Sequence, residues 1–209
     1  MLCSLFYLAF VQLAPPSGAK TMGKCGANGL LCVASLALEG PLALSIALLL
    51  FTFADGITTV NRSKRLLGYA MLSGALAQVS VAVLFWTNWS GLRLNQTEGA
   101  IVVIGAYGFG MLTLLWPKLG GLRSMTIVYL AIVAWALFLA MGLAEEHGLA
   151  VVGMVLFTLS TSVHAVEQFF LEPPNPLIRW TAPVIWVSHH SFTLCLTLAF
   201  ILPLIAPRF

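Results

Sequence analysis

The feature that most constrains this chain is a succession of long apolar runs. Seven of them, at 24–39, 41–60, 66–87, 99–117, 122–144, 149–171 and 182–205, carry almost no charge. Each is close to the roughly 20 residues that take a helix across the hydrocarbon of a bilayer. Backbone in lipid has no water to satisfy its N–H and C=O groups, so apolar runs of this length are expected to be helical. A shorter run at 2–14, ended by Pro15 and Pro16, reads as a short first helix. The expected fold is therefore all-α, a polytopic integral membrane bundle of about eight transmembrane helices forming a single domain over residues 1–209. Composition agrees: 60% of residues are apolar and 8% charged, where a soluble domain carries about 25% charged residues. That balance excludes a soluble globular domain, a disordered chain and a nucleic-acid binder. Cys3, Cys25, Cys32 and Cys195 lack metal-ligand spacing and read as small core hydrophobes. Nothing in the pattern calls for a metal or a cofactor.

Charge sets the expected orientation, because cytoplasmic loops collect Lys and Arg. Eight spans place Lys20, Lys24, Arg62, Lys64, Arg65, Lys118, Arg123 and Arg179 on one side, and Arg93 and Arg208 on the other. The basic side is expected to be cytoplasmic, with both termini outside. Cleavage of 2–14 as a signal would swap every later loop and invert that bias. The sequons at Asn88 and Asn95 then fall outside and the one at Asn61 inside. The expected location is the endoplasmic reticulum membrane of a eukaryote, or otherwise the plasma membrane.

Ionisable residues inside spans are functional candidates, since lipid gives a chain little reason to keep them. Asp55, the only aspartate, lies about five residues from the basic end of its span. His164 and Glu167 are three apart and share a helix face, with Ser160 one turn away and Thr161 beside it. His189 shares a face with Thr193, and its neighbour His190 points elsewhere. Lys20 and Lys24 flank the basic end of the 24–39 span, and Gln78 lies mid-span. Counted by depth, most of these groups collect in the same half of the bilayer, which predicts a polar cavity open to the cytoplasmic side. Each also has a structural alternative: Asp55 as a helix-end carboxylate, His164 with Glu167 as a peg between helices, Lys20 and Lys24 as interfacial charges.

The order of these features resembles the YhhN / transmembrane protein 86 family, which includes lysoplasmalogenase. The resemblance rests on Ala19-Lys20 followed by Lys24, and on Ala54-Asp55 before the basic stretch Arg62 to Arg65. It continues through the glycine-containing stretch from Gly68 to Gly74, then Met125 to Tyr129, then Leu156-Phe157 leading to Ser160-Thr161. The chain departs from the family where a second aspartate would stand, at Thr161. It departs again at a histidine whose nearest counterpart is Gln78, and at the glycine before Asp55, which is Ala54.

The resemblance implies hydrolysis of the vinyl-ether bond of a lysophospholipid, releasing a fatty aldehyde and a glycerophospho-base. Such a reaction begins by protonating the alkenyl carbon. It asks for an acid, here Asp55, and for a histidine, His164 or His189, to handle water, with Glu167 orienting His164. Lys20 or Lys24 would hold the lipid phosphate, and Gln78, Ser160 and Thr161 would complete the substrate site. Two other readings of the same residues stay open: a non-catalytic lipid-binding or scaffold protein, and haem ligation by His164 and His190.

Overall fold

A computed structural model describes residues 18–60, 64–92, 94–171 and 175–205. The expected first helix at 2–14, Asn61 and the side chains of Lys20 and the sequon residue Asn95 lie outside what is described. Seven α-helices make up the described chain: α1 (Gly18–Ala37), α2 (Leu42–Val60), α3 (Lys64–Thr87), α4 (Leu94–Leu119), α5 (Arg123–Met141), α6 (Gly148–Phe170) and α7 (Ile178–Ile205). No strand occurs among the described residues, whose only extended pairing is a single bridge between Trp89 and Leu143.

Four helical stretches among the described residues are long and apolar enough to cross a membrane: Arg65–Thr87, Gln96–Met141, Glu145–Phe170 and Ile178–Ile205. The second is two helices. Pro117 weakens the end of α4, Gly120 takes a positive φ of 51° that suits glycine, and a 3₁₀ turn at Gly120–Leu122 leads into α5. α5 then packs back against α4. Large apolar side chains point outward throughout, among them Leu30, Val102, Phe109 and Val155. A helix apolar on all sides belongs in lipid or in a core.

The helices close into a ring. α1 packs on α2, α2 on α3 and α3 on α5; α4 leans on α5 and α6; α6 pairs with α7, which returns to α1 and α2. The centre is filled by an aromatic cluster. Phe51 meets Phe192 edge-on at 5.4 Å between centroids, and Phe157 lies 4.8 Å from Phe192. Such offset and edge-on pairings suit the ring quadrupoles.

The far end from the basic residues is stapled across the bundle. The backbone N–H and hydroxyl of Ser90 both donate to the carbonyl of Gly142, each at 2.9 Å. The Trp89 indole lies directly over Gly142, where an added Cβ would overlap its ring. Gly142→Ala is therefore expected to cost about 1–3 kcal/mol by overpacking. It should lower the melting temperature in detergent. An unaltered melting curve would mean that the Trp89 loop yields freely.

Candidate functional site

The ends of α2, α4 and α6 meet the beginnings of α1, α3, α5 and α7 around a cavity of about 170 Å³. This is the end that carries Lys24, Arg65, Lys118, Arg123 and Arg179. The cavity wall contains Lys24, Asp55, Ser160, Thr161, His164 and His189, six of the nine residues expected at the site. Its apolar part includes Phe51, Met71, Met111, Leu130 and Phe157.

Asp55 is the most constrained group in that wall. It sits near the end of α2, where α1 runs antiparallel beside it and brings up two donors. Lys24 Nζ lies 2.9 Å from Oδ1, and Asn28 Nδ2 donates to Oδ2 at 2.8 Å. Lys24 also donates to the Thr58 hydroxyl at 2.9 Å. From α7, His189 Nε2 approaches Oδ2 to 3.8 Å. The imidazole is itself wedged among the aromatics, 5.4 Å from Phe51 in an edge-on contact and 6.1 Å from both Phe157 and Phe192. The Phe51–Phe157–Phe192 cluster thus packs against His189, and its Phe51 and Phe157 rings line the cavity.

Asn28 is fully buried and joins three helices. Its Oδ1 accepts from the Thr193 hydroxyl of α7 at 2.8 Å, which leaves its amide nitrogen turned toward Asp55 on α2. The sequence reading missed Asn28 because it counted ionisable residues; the signal was a lone amide in the middle of an apolar run. It also missed Thr126, Tyr129 and Tyr107, which line the cavity from α5 and α4. Tyr107 bonds the Ser162 hydroxyl of α6 at 2.8 Å.

Two of the expected residues, Glu167 and Gln78, lie outside the cavity wall, and the hydroxyls of Ser160 and Thr161 bond to backbone. Glu167 is not part of the cavity wall; it accepts a 2.6 Å hydrogen bond from Thr181 and ties α6 to α7. Its carboxylate is turned toward the start of α7, where the Thr181 hydroxyl holds it. Gln78 is completely buried in α3 but outside the cavity wall, and neither of its amide atoms has a hydrogen-bond partner. The Ser160 hydroxyl donates to the Ile185 carbonyl at 2.9 Å, and that of Thr161 to carbonyls of its own helix, so both are spent on backbone. His190 stacks on Trp186 at 5.6 Å rather than entering the cavity with His164.

The described chain is thus an all-helical bundle of the membrane type, with a carboxylate, an ammonium and two histidines gathered in a cavity at its basic end. The sequence profile of the YhhN family matches residues 19–200, and the chain belongs to the YhhN family. No curated protein and no solved structure matches it.

Proposed function

We propose that this chain hydrolyses the vinyl-ether bond of lysoplasmalogens at the Asp55 cavity. The observation that carries the reading is a carboxylate held by Lys24 and Asn28, facing His189, in a largely apolar cavity of a YhhN-family chain. At about 170 Å³ the cavity is smaller than the roughly 300–1,000 Å³ pockets that enclose whole drug-sized ligands. It suits the reacting part of a lipid, with the tail passing between helices into the bilayer. By the positive-inside rule it opens toward the cytoplasm.

The chemistry follows from these groups. A proton goes to the alkenyl carbon, and positive charge develops on the carbon bonded to the ether oxygen. Water adds to that carbon and gives up a proton. The resulting hemiacetal then collapses to an aldehyde and the glycerol hydroxyl. One water is consumed, and the catalytic proton is returned. Asp55 and His189 stand 3.8 Å apart, and this pair supplies the first proton. The fixed carboxylate then stabilises the cation as it forms. His164 accepts the proton lost by water. Lys24 uses two of its three N–H groups on Asp55 and Thr58, and its third is left to the lipid phosphate.

One observation favours a second reading, a non-catalytic lipid-binding protein of the same fold. Thr161 stands where the family carries an aspartate, and its hydroxyl returns to its own helix. The deciding experiment supplies a lysoplasmalogen to the purified protein and measures free aldehyde. Release is expected from the wild type, and Thr161→Asp is expected to raise turnover. No aldehyde from either protein would leave the lipid-binding reading in its place.

A further inference from the structure

Several threonines in these helices donate their hydroxyl to the carbonyl one turn back. Thr52 does so to Leu48, Thr113 to Phe109 and Thr158 to Met154, each at 2.8 Å. Thr126 does not. The turn before it is the 3₁₀ segment Gly120–Leu122, and its Oγ1 is buried with no hydrogen-bond partner. The residue is only 5% exposed, yet it lines the Asp55 cavity. Buried polar atoms in native structures are nearly always satisfied, and those that are not point to a missing water or ligand. Tyr129, three residues on and so on the same face, lines the cavity with its phenol ring packed over Gly74.

We propose that Thr126 and Tyr129 form a hydroxyl subsite on the α5 wall that takes the free glycerol hydroxyl beside the ether bond, and so selects single-chain over two-chain lipids. The inference rests on the lipid-site reading above and names the feature of the substrate that the site recognises. The cavity's ammonium, Lys24, comes from α1, and the α5 wall contributes only the hydroxyls of Thr126 and Tyr129 with the apolar Leu130 and Val133. Neutral hydroxyls match a group that both donates and accepts. A lipid acylated at that hydroxyl loses its donor and adds a second chain where the cavity has little room. Its ester oxygens can accept from Thr126 but return no donor, so half of the exchange made by a free hydroxyl is lost.

The test uses binding, so that it does not depend on turnover. The probe is a saturated, uncleavable 1-O-alkyl lysophospholipid, compared with its 2-deoxy analogue, on the full chain in detergent or nanodiscs. The wild type is expected to prefer the hydroxyl-bearing lipid by roughly tenfold or more, the range set by leaving a buried polar group unpaired. Thr126→Val keeps the β-branched shape and removes the hydroxyl, and its preference is expected to fall to within about twofold. Thr126→Ser should restore most of the preference. Because the hydroxyl removed has no partner in the free protein, the Val variant is expected to melt no lower than the wild type; should it fail to fold, Thr126→Ala gives the same comparison. Equal binding of the two lipids by the wild type, binding of neither, or a preference that survives in the Val variant would overturn the proposal. A preference lost in the Val variant, together with a wild type that releases no aldehyde, would support the subsite and sink the hydrolase reading alone.

Discussion

Asp55→Asn is expected to lower aldehyde release by 10²–10⁴-fold, the usual cost of losing a general acid or base, in a protein that still folds. Asparagine keeps the size of the side chain and can still accept from Asn28. It has no proton to exchange with His189 and no negative charge to meet the developing cation. The variant's rate should stay low across the pH range in which it remains folded, since no protonation state of asparagine replaces the lost acid. Aldehyde release by Asp55→Asn at the wild-type rate would remove Asp55 from the mechanism.

The second large effect is on stability. Lys24→Met leaves the Asp55 carboxylate, 9% exposed, without its counter-charge. Breaking one side of a buried pair costs roughly 3–5 kcal/mol, and the low end applies here because the Lys24 side chain keeps 19% of its surface exposed. Replacing both partners is a different experiment. Lys24→Met with Asp55→Leu exchanges the pair for apolar volume and should recover most of the lost stability, while aldehyde release stays abolished. Thermal unfolding in detergent reads the first quantity and aldehyde the second. A single variant as stable as the wild type would show that Asn28 and His189 hold the carboxylate without help.

What the sequence made legible follows from what lipid forbids. Apolar runs fixed the helices to within a few residues at most ends: 66–87 was expected and Lys64–Thr87 is found, and 182–205 lies within Ile178–Ile205. The start of α1 was less clear, Gly18 rather than residue 24, because Gly, Ala and Thr before Lys24 carry little hydropathy signal. Depth along each span brought Asp55, His164 and His189 to one end, and the cavity holds all three. Azimuth was harder to read. Whether Glu167 shares the direction of His164, or Gln78 that of Gly74, depends on which neighbour each helix face meets, and periodicity in a helix apolar all round does not say. Uncharged polar groups were undervalued for a related reason. Asn28 and Thr126 look unremarkable in the chain and acquire meaning only beside Asp55 and at the cavity wall.

The hydrogen bond between Thr193 and Asn28 joins positions 165 residues apart, whereas Asn28 and Asp55 are separated by only 27. This sets an order of assembly. The α1–α2 hairpin can pair Lys24 and Asn28 with Asp55 as soon as both helices are in the bilayer, so the carboxylate need not wait alone in lipid. Thr193 and His189 arrive with the last helix, roughly 7–28 s later at ordinary rates of synthesis of 5–20 residues per second. Until then the hairpin stands as an open half-site, with the Asn28 carbonyl oxygen unclaimed. The chain thus protects its most costly group early and becomes competent only when its C-terminal helix docks, so nascent chains stalled before α7 should be inserted but inert.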